Sequence, residues 1–175
     1  HRGYGPNGDP DEAGEVRNTF GSNISFRREV FLDLGGFDAE IGGRQGDANL
    51  QGGETELCAR MEAEYGHGVS YTPDAEVAHK VFDYRTDPVW LLDRAFWQGY
   101  SKRGMEVLVP ESGSTDAESD FLGTLLFDSV PDRLRGFVAG PSVERGLQFV
   151  ALWALTAAVG LGYLYGVAKW WGKGQ

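Results

Sequence analysis

The sequence predicts an α/β chain: short strands interleaved with amphipathic helices, ended by a helix long enough to cross a membrane. Three observations predict it. Apolar residues recur at helical spacing in three stretches, and they alternate at strand spacing in three shorter ones. Between Arg145 and Lys169 lie 23 residues without a charge. At about 1.5 Å per residue that stretch spans roughly 34 Å, against roughly 30 Å for a hydrocarbon core.

Residues 1–18 carry Gly3, Gly5, Pro6, Gly8, Pro10 and Gly14 among acids and read as irregular loop. Asn23–Phe26 reads as a strand end. Arg28–Leu34 is predicted helical, with Val30, Phe31 and Leu34 on its apolar face and Gly35-Gly36 as its stop. Residues Gly42–Gly53 read as loop again. Thr55–Tyr65 is an amphipathic helix with Leu57, Met61 and Tyr65 at i, i+4 and i+8, closed by Gly66 and Gly68. Val69–Tyr71 and Val77–Val81 read as strands around the turn Thr72-Pro73-Asp74. Val89–Lys102 is the next helix, carrying the pair Phe96-Trp97. The soluble part is thus set at 1–110, a polar linker (Glu111–Asp120) and an amphipathic helix at 111–143, and the membrane helix at 144–171. Tyr163, Tyr165, Trp170 and Trp171 sit toward the end of that helix, where interfacial aromatics belong. A buried helix of a soluble domain is the competing reading of this stretch.

So few strands cannot close an α/β sheet unaided. Residue 1 is His, and no signal-peptide pattern follows. Both observations create the expectation that about a hundred further residues precede this chain.

Composition narrows the function classes. The 175 residues carry 26 acidic and 16 basic side chains, a formal charge of −10 that repels phosphate backbones and argues against nucleic-acid binding. The charge is segregated. Residues 1–130 hold 24 acids and 11 bases, residues 131–175 hold 2 acids and 5 bases. Basic residues flank the apolar stretch on both sides, with a slight preference for an N-terminal side in the cytoplasm. Four lysines against 12 arginines, on an acid-rich surface, suit a halophilic cytoplasm. The single cysteine, Cys58, excludes a disulfide framework and a cysteine-based zinc cluster. A glycine-aspartate run at Gly42–Asp47 and the segment Asp9-Pro10-Asp11 lack the ligand order of calcium sites. Asn23-Ile24-Ser25 is a formal glycosylation sequon.

Chemistry concentrates at Gly52-Gly53-Glu54-Thr55-Glu56-Leu57. Two glycines leave backbone exposed, and a carboxylate follows at a helix start whose N–H groups favour an anionic partner. A carboxylate on such a rim can take a proton from a hydroxyl. The bland reading is that Glu54 and Glu56 cap and solvate the helix.

The order of motifs decides between these. GSNISFRREVFLDLGGFDAEIG (Gly21–Gly42), then GGETELCARM (Gly52–Met61), then Val77-Ala78-His79 and Phe96-Trp97-Gln98-Gly99, resembles the acceptor-side half of family-2 glycosyltransferases. The resemblance covers roughly Asn18 to Gly104. It implies an inverting, nucleotide-sugar-dependent enzyme of the GT-A (nucleotide-diphospho-sugar transferase) fold, of which this chain carries the C-terminal part. On it, Glu54 takes the place of the catalytic base, usually Asp, and Gly53 stands where many members have a first acid. The same resemblance puts Gly52, Gly53, Asn23, Arg27, Arg94, Trp97 and Gln98 near the acceptor or diphosphate and His79 beside the metal. Core packing is the plain alternative for Trp97, a sheet-edge position for His79, an exposed loop for His67, and turn stabilisation for Phe37 and Asp38. The divalent cation, Mg²⁺ or Mn²⁺, would need an Asp-x-Asp motif that these residues do not contain.

The resulting expectation is a membrane-associated transferase facing the cytoplasm. It would move a hexose or hexuronic acid from a nucleotide-sugar donor to a lipid-linked, dolichol-phosphate-type acceptor. Haloarchaeal protein N-glycosylation or surface polysaccharide synthesis is the expected setting. A non-catalytic membrane-tethered module derived from such an enzyme is the alternative. A glycosidase ranks last, because Glu54 and Glu56, two residues apart, point in different directions.

Overall fold

The structure, a computed structural model, describes residues 12–16, 19–109, 127 and 130–171. Its elements in order are β1 (Gly14–Val16), α1 (Arg28–Asp33), β2 (Arg44–Gln45), β3 (Ala48–Asn49), α2 (Gly53–Tyr65), β4 (Val69–Tyr71), a 3-10 turn (Asp83–Thr86), α3 (Pro88–Leu108), α4 (Val130–Ala139) and α5 (Val143–Lys169). The described strands form two small antiparallel ladders, β1 with β4 and β2 with β3.

The strands differ from expectation in four segments. Gly14–Val16, within the stretch expected as irregular loop, pairs with Val69–Tyr71, Gly14 opposite Tyr71 and Val16 opposite Val69. Three residues beginning with glycine carry too little alternation to announce a strand. Residues 42–53 contain a hairpin, with Arg44 opposite Asn49 across the turn Gly46-Asp47. Asn23–Phe26 and Val77–Val81, both expected as strands, have no ladder partner among the described residues. Phe26 instead packs its ring 5.8 Å from Phe31 of α1. Val77 and Val81 remain exposed. Alternation specifies side-chain direction; a strand also needs a neighbour.

The helices follow their chemistry. Asp87 caps α3, its carboxylate accepting from Val89 N (2.8 Å) and Trp90 N (3.2 Å), and Pro88 occupies the first helical turn, where no N–H is needed. Ser142 caps α5 by accepting from Arg145 N. Helix α3 runs six residues past the predicted Lys102, through Gly104, and α5 packs along it.

The last turns of α5 also pack against the part of the chain that precedes it. Helix α5 is apolar and long enough to cross a membrane, yet its last three turns lie against α3. A Cβ on Gly99 would collide with the Val159 carbonyl, and one on Gly162 with the Phe96 carbonyl. Here the two backbones meet with no room for a methyl group. Further along, Arg103 packs on Gly166, and Trp170 stacks on Tyr100 with centroids 4.4 Å apart. Trp170 joins Ile41, Leu50, Tyr100 and Met105 in the buried core. Residues 111–126, with the polar linker 111–120, lie outside the described residues, and Val130–Ala139 is the described α-helix of the predicted amphipathic segment.

Replacing Gly162 by Ala is expected to lower unfolding free energy by about 1–3 kcal/mol through forced separation of the helices. Gly160→Ala, where a Cβ meets nothing within 4 Å, should be near neutral. Urea unfolding followed by tryptophan fluorescence compares the two; equal midpoints would show that the contact is not tight.

Candidate active site

The turn before α2 sets the site. Gly52 precedes the helix at φ 125°, a region that side chains rarely enter, and a Cβ there would also strike Met105 Sδ of α3 at 2.9 Å. Gly53 begins the helix, buried against the Ile41 carbonyl. The buried Ser101 of α3 holds the approach to this turn. Its hydroxyl accepts from Gln51 N at 2.8 Å and lies 2.7 Å from the Trp97 carbonyl. Helix α2 therefore starts two residues before the predicted Thr55, and Glu54 stands in its first turn.

Glu54 lines one of two open cavities in this part of the chain. One, of about 580 Å³, is lined by Glu54, Gly52, Gly42, Gly43, Asp38 and Arg94 among others. The other, of about 750 Å³, is lined by the 19–23 turn, the 69–73 segment and Ala75–His79. The Glu54 carboxylate abuts Gly21, where a side chain would collide with Oε1, and the neighbours Phe20 and Ser22 line the larger cavity. Across the smaller cavity, Arg94 has no hydrogen-bond or ion-pair partner among the described residues. Partial desolvation, and then the charge of Arg85, pull its guanidinium below its ordinary basicity. It remains a cation, free to meet an anion.

The remaining candidates divide. Asn23 lines the larger cavity and ties its two sides together by donating from Nδ2 to the Ala75 carbonyl. His79 lines the same cavity, exposed and on irregular backbone. Arg27, the residue before α1, lines neither cavity. Trp97 packs against the core and donates to Asp93 Oδ1 at 3.0 Å. Gln98 is exposed and also outside both cavities. Arg27, Trp97 and Gln98 thus line neither of these cavities. Among the described residues no three His, Cys, Asp or Glu side chains converge to hold a metal ion.

Sequence reasoning left Arg60 without a role. Its guanidinium pairs with the buried Glu56, Nη2 reaching Oε2 at 2.8 Å and Nε bonding Oε1. It also donates to the carbonyls of Leu34 and Gly36. One side chain thus clamps the Gly35–Gly36 turn onto α2, and the chain leaving that turn supplies Phe37 and Asp38 to the smaller cavity. The signal was present as an i, i+4 Glu-to-Arg pair. Glu56 is the inner member of the two acids, and Glu54 the outer.

Arg60→Ala is expected to cost about 2–3 kcal/mol, because it strands a buried carboxylate and two carbonyls. Thermal unfolding of Arg60→Ala beside the double change Glu56→Leu/Arg60→Leu measures this; the double variant should recover part of the loss. Burial pushes the Cys58 thiol up. The native fold thus keeps the thiol protonated, and its contribution to stability falls as pH rises above the ordinary thiol range. A disulfide reagent near neutral pH should modify Cys58 only after denaturant is added; rapid native-state labelling would contradict this burial.

No family model and no solved structure matches the chain. A curated relative does. The chain is 45% identical over 166 residues, 95% of its own length, to a protein of Haloferax volcanii named glucosyl-dolichyl phosphate glucuronosyltransferase. The chain spans about half the length of that relative. It is thus similar, through nearly all its residues, to one half of a haloarchaeal glycosyltransferase.

Proposed function

We propose that this chain forms the acceptor-side part of a glycosyltransferase that moves a glucuronosyl group from a nucleotide-linked donor to a glucosyl-dolichyl phosphate acceptor. The observation that carries the reading is Glu54: a carboxylate in the first turn of α2 that lines an open cavity together with an unpaired arginine, Arg94. The similarity to the Haloferax enzyme supplies the substrate classes. A GT-A fold for the whole domain, with the donor-binding half and its divalent cation outside this chain, belongs to the same proposal.

In this mechanism Glu54 takes the proton of the acceptor sugar's hydroxyl as that oxygen attacks the anomeric carbon of the donor. The bond from that carbon to the diphosphate breaks, and the nucleoside diphosphate leaves with the electron pair. Both substrates are anionic, through the donor diphosphate and the acceptor phosphodiester. Arg94 pairs with one of these groups by charge-assisted hydrogen bonds. Asn23 shapes the larger cavity by holding its two sides together. Helix α5 attaches the protein to the membrane that holds the lipid acceptor, with the site on the cytoplasmic side.

In the full-length enzyme, Glu54→Gln should lower transfer by about 10²–10⁴-fold while nucleotide-sugar binding persists. Near-normal transfer would remove Glu54 from the mechanism. Arg94→Gln should weaken binding of one substrate by roughly tenfold or more, read as a raised KM with a smaller change in kcat. Unchanged KM values for both substrates would remove Arg94 from the site.

A further inference from the structure

We propose that α5 lies along the surface of the bilayer, its outward stripe among the acyl chains, and does not cross it. The inference rests on the membrane attachment proposed above and concerns its geometry.

A crossing helix needs lipid around its whole circumference or a partner of matching apolarity. Helix α5 has neither. Its inner face, from Val159 to Trp170, is packed on α3, and α3 carries ions at that contact. Tyr163 donates its hydroxyl proton to Glu106 Oε2 at 2.9 Å, and Arg103 pairs with the same oxygen at 2.9 Å. Drawing the last turns of α5 into hydrocarbon would draw Arg103, Glu106 and Lys102 with them. At the other end, Arg145 donates to the carbonyls of Gly136 and Gly140, and Gln148 accepts from Arg133. Between these anchors, among the described residues, Phe149–Gly162 make no side-chain hydrogen bond outside the helix; that is about 21 Å of helix, short of a hydrocarbon core of roughly 30 Å.

The outer face reads differently. Leu147, Val150, Leu161 and Leu164 are each more than 60% exposed, and exposed alanines at 154, 157 and 168 complete one stripe along the helix. The stripe runs the full length of α5 on the side away from α3. Cations border it at both ends, Arg133, Arg135 and Arg145 near its start and Lys169 near its finish, on a chain whose net charge is otherwise strongly negative. A continuous apolar face bordered by arginine and lysine fits a bilayer with anionic headgroups.

The full-length enzyme, in sealed membrane vesicles of known orientation, tests this with single cysteines introduced as Glu144→Cys or Trp171→Cys at the two ends of α5. The parent protein, whose Cys58 is buried, is the blank. Both ends should label with an impermeant maleimide from the same side. Labelling from opposite sides would overturn the inference and leave the attachment intact, whereas recovery of the protein in the soluble fraction would remove the attachment itself. Independently, Leu161→Glu/Leu164→Glu should abolish binding to phosphatidylglycerol-containing vesicles while the unfolding midpoint and transfer to detergent-dispersed acceptor persist. Unchanged vesicle binding overturns the inference. Conversion of a dimer to a monomer, with vesicle binding unchanged, reassigns the stripe to a contact between copies.

Discussion

The molecule turns on the close approach of α3 and α5 at Gly99 and Gly162, where each backbone fills the space a side chain would take on the other. Pressed together there, the helices stack Trp170 on Tyr100 and enclose Met105 with Ile41 and Leu50. Helix α3 then serves as a wall with two uses. Ser101 and Met105 hold the chain entering Gly52, and Arg94, two turns earlier, lines the cavity that Glu54 also lines. An apolar segment that could be mistaken for a detached anchor is part of what positions the acidic rim.

The site itself depends on local backbone geometry more than on many contacts. Glu54 faces the cavity because Gly52 turns the chain at a positive φ, and because Gly21 leaves room for the carboxylate. Behind it, the Glu56–Arg60 pair and the two carbonyls it binds fasten α2 to the Gly35–Gly36 turn. A buried carboxylate is costly to hold without its cation, so this pair serves as a clamp and leaves the outer acid available for chemistry. Charge follows the same division of labour. The acids crowd the first 130 residues, and the excess of bases lies around α4 and α5.

How much was legible in advance varies with the range of the interaction concerned. Helix α2, its glycine stop, the turn at Thr72 and the uncharged stretch of α5 are set by neighbours within a few residues, and each was readable. The motif order around Glu54 was readable as a resemblance, and the position of the acid in a cavity lining is a matter of the fold. The two strands expected at Asn23–Phe26 and Val77–Val81 failed for one reason: alternating apolar residues need a partner strand, and among the described residues none runs beside them. Trp97 carried two readings, substrate contact and core packing, and its ring packs against the core with its nitrogen bound to Asp93.

By itself, then, the sequence determined the helical periodicities, the segregation of acid from base and the presence of a carboxylate behind two glycines, because these are properties of neighbouring residues. Only the tertiary structure decided that Arg60 is a clamp and that α5 shares its inner face with charged residues of α3. Those outcomes join positions tens of residues apart, and no local pattern of hydrophobicity or charge encodes which distant backbones come close enough to touch.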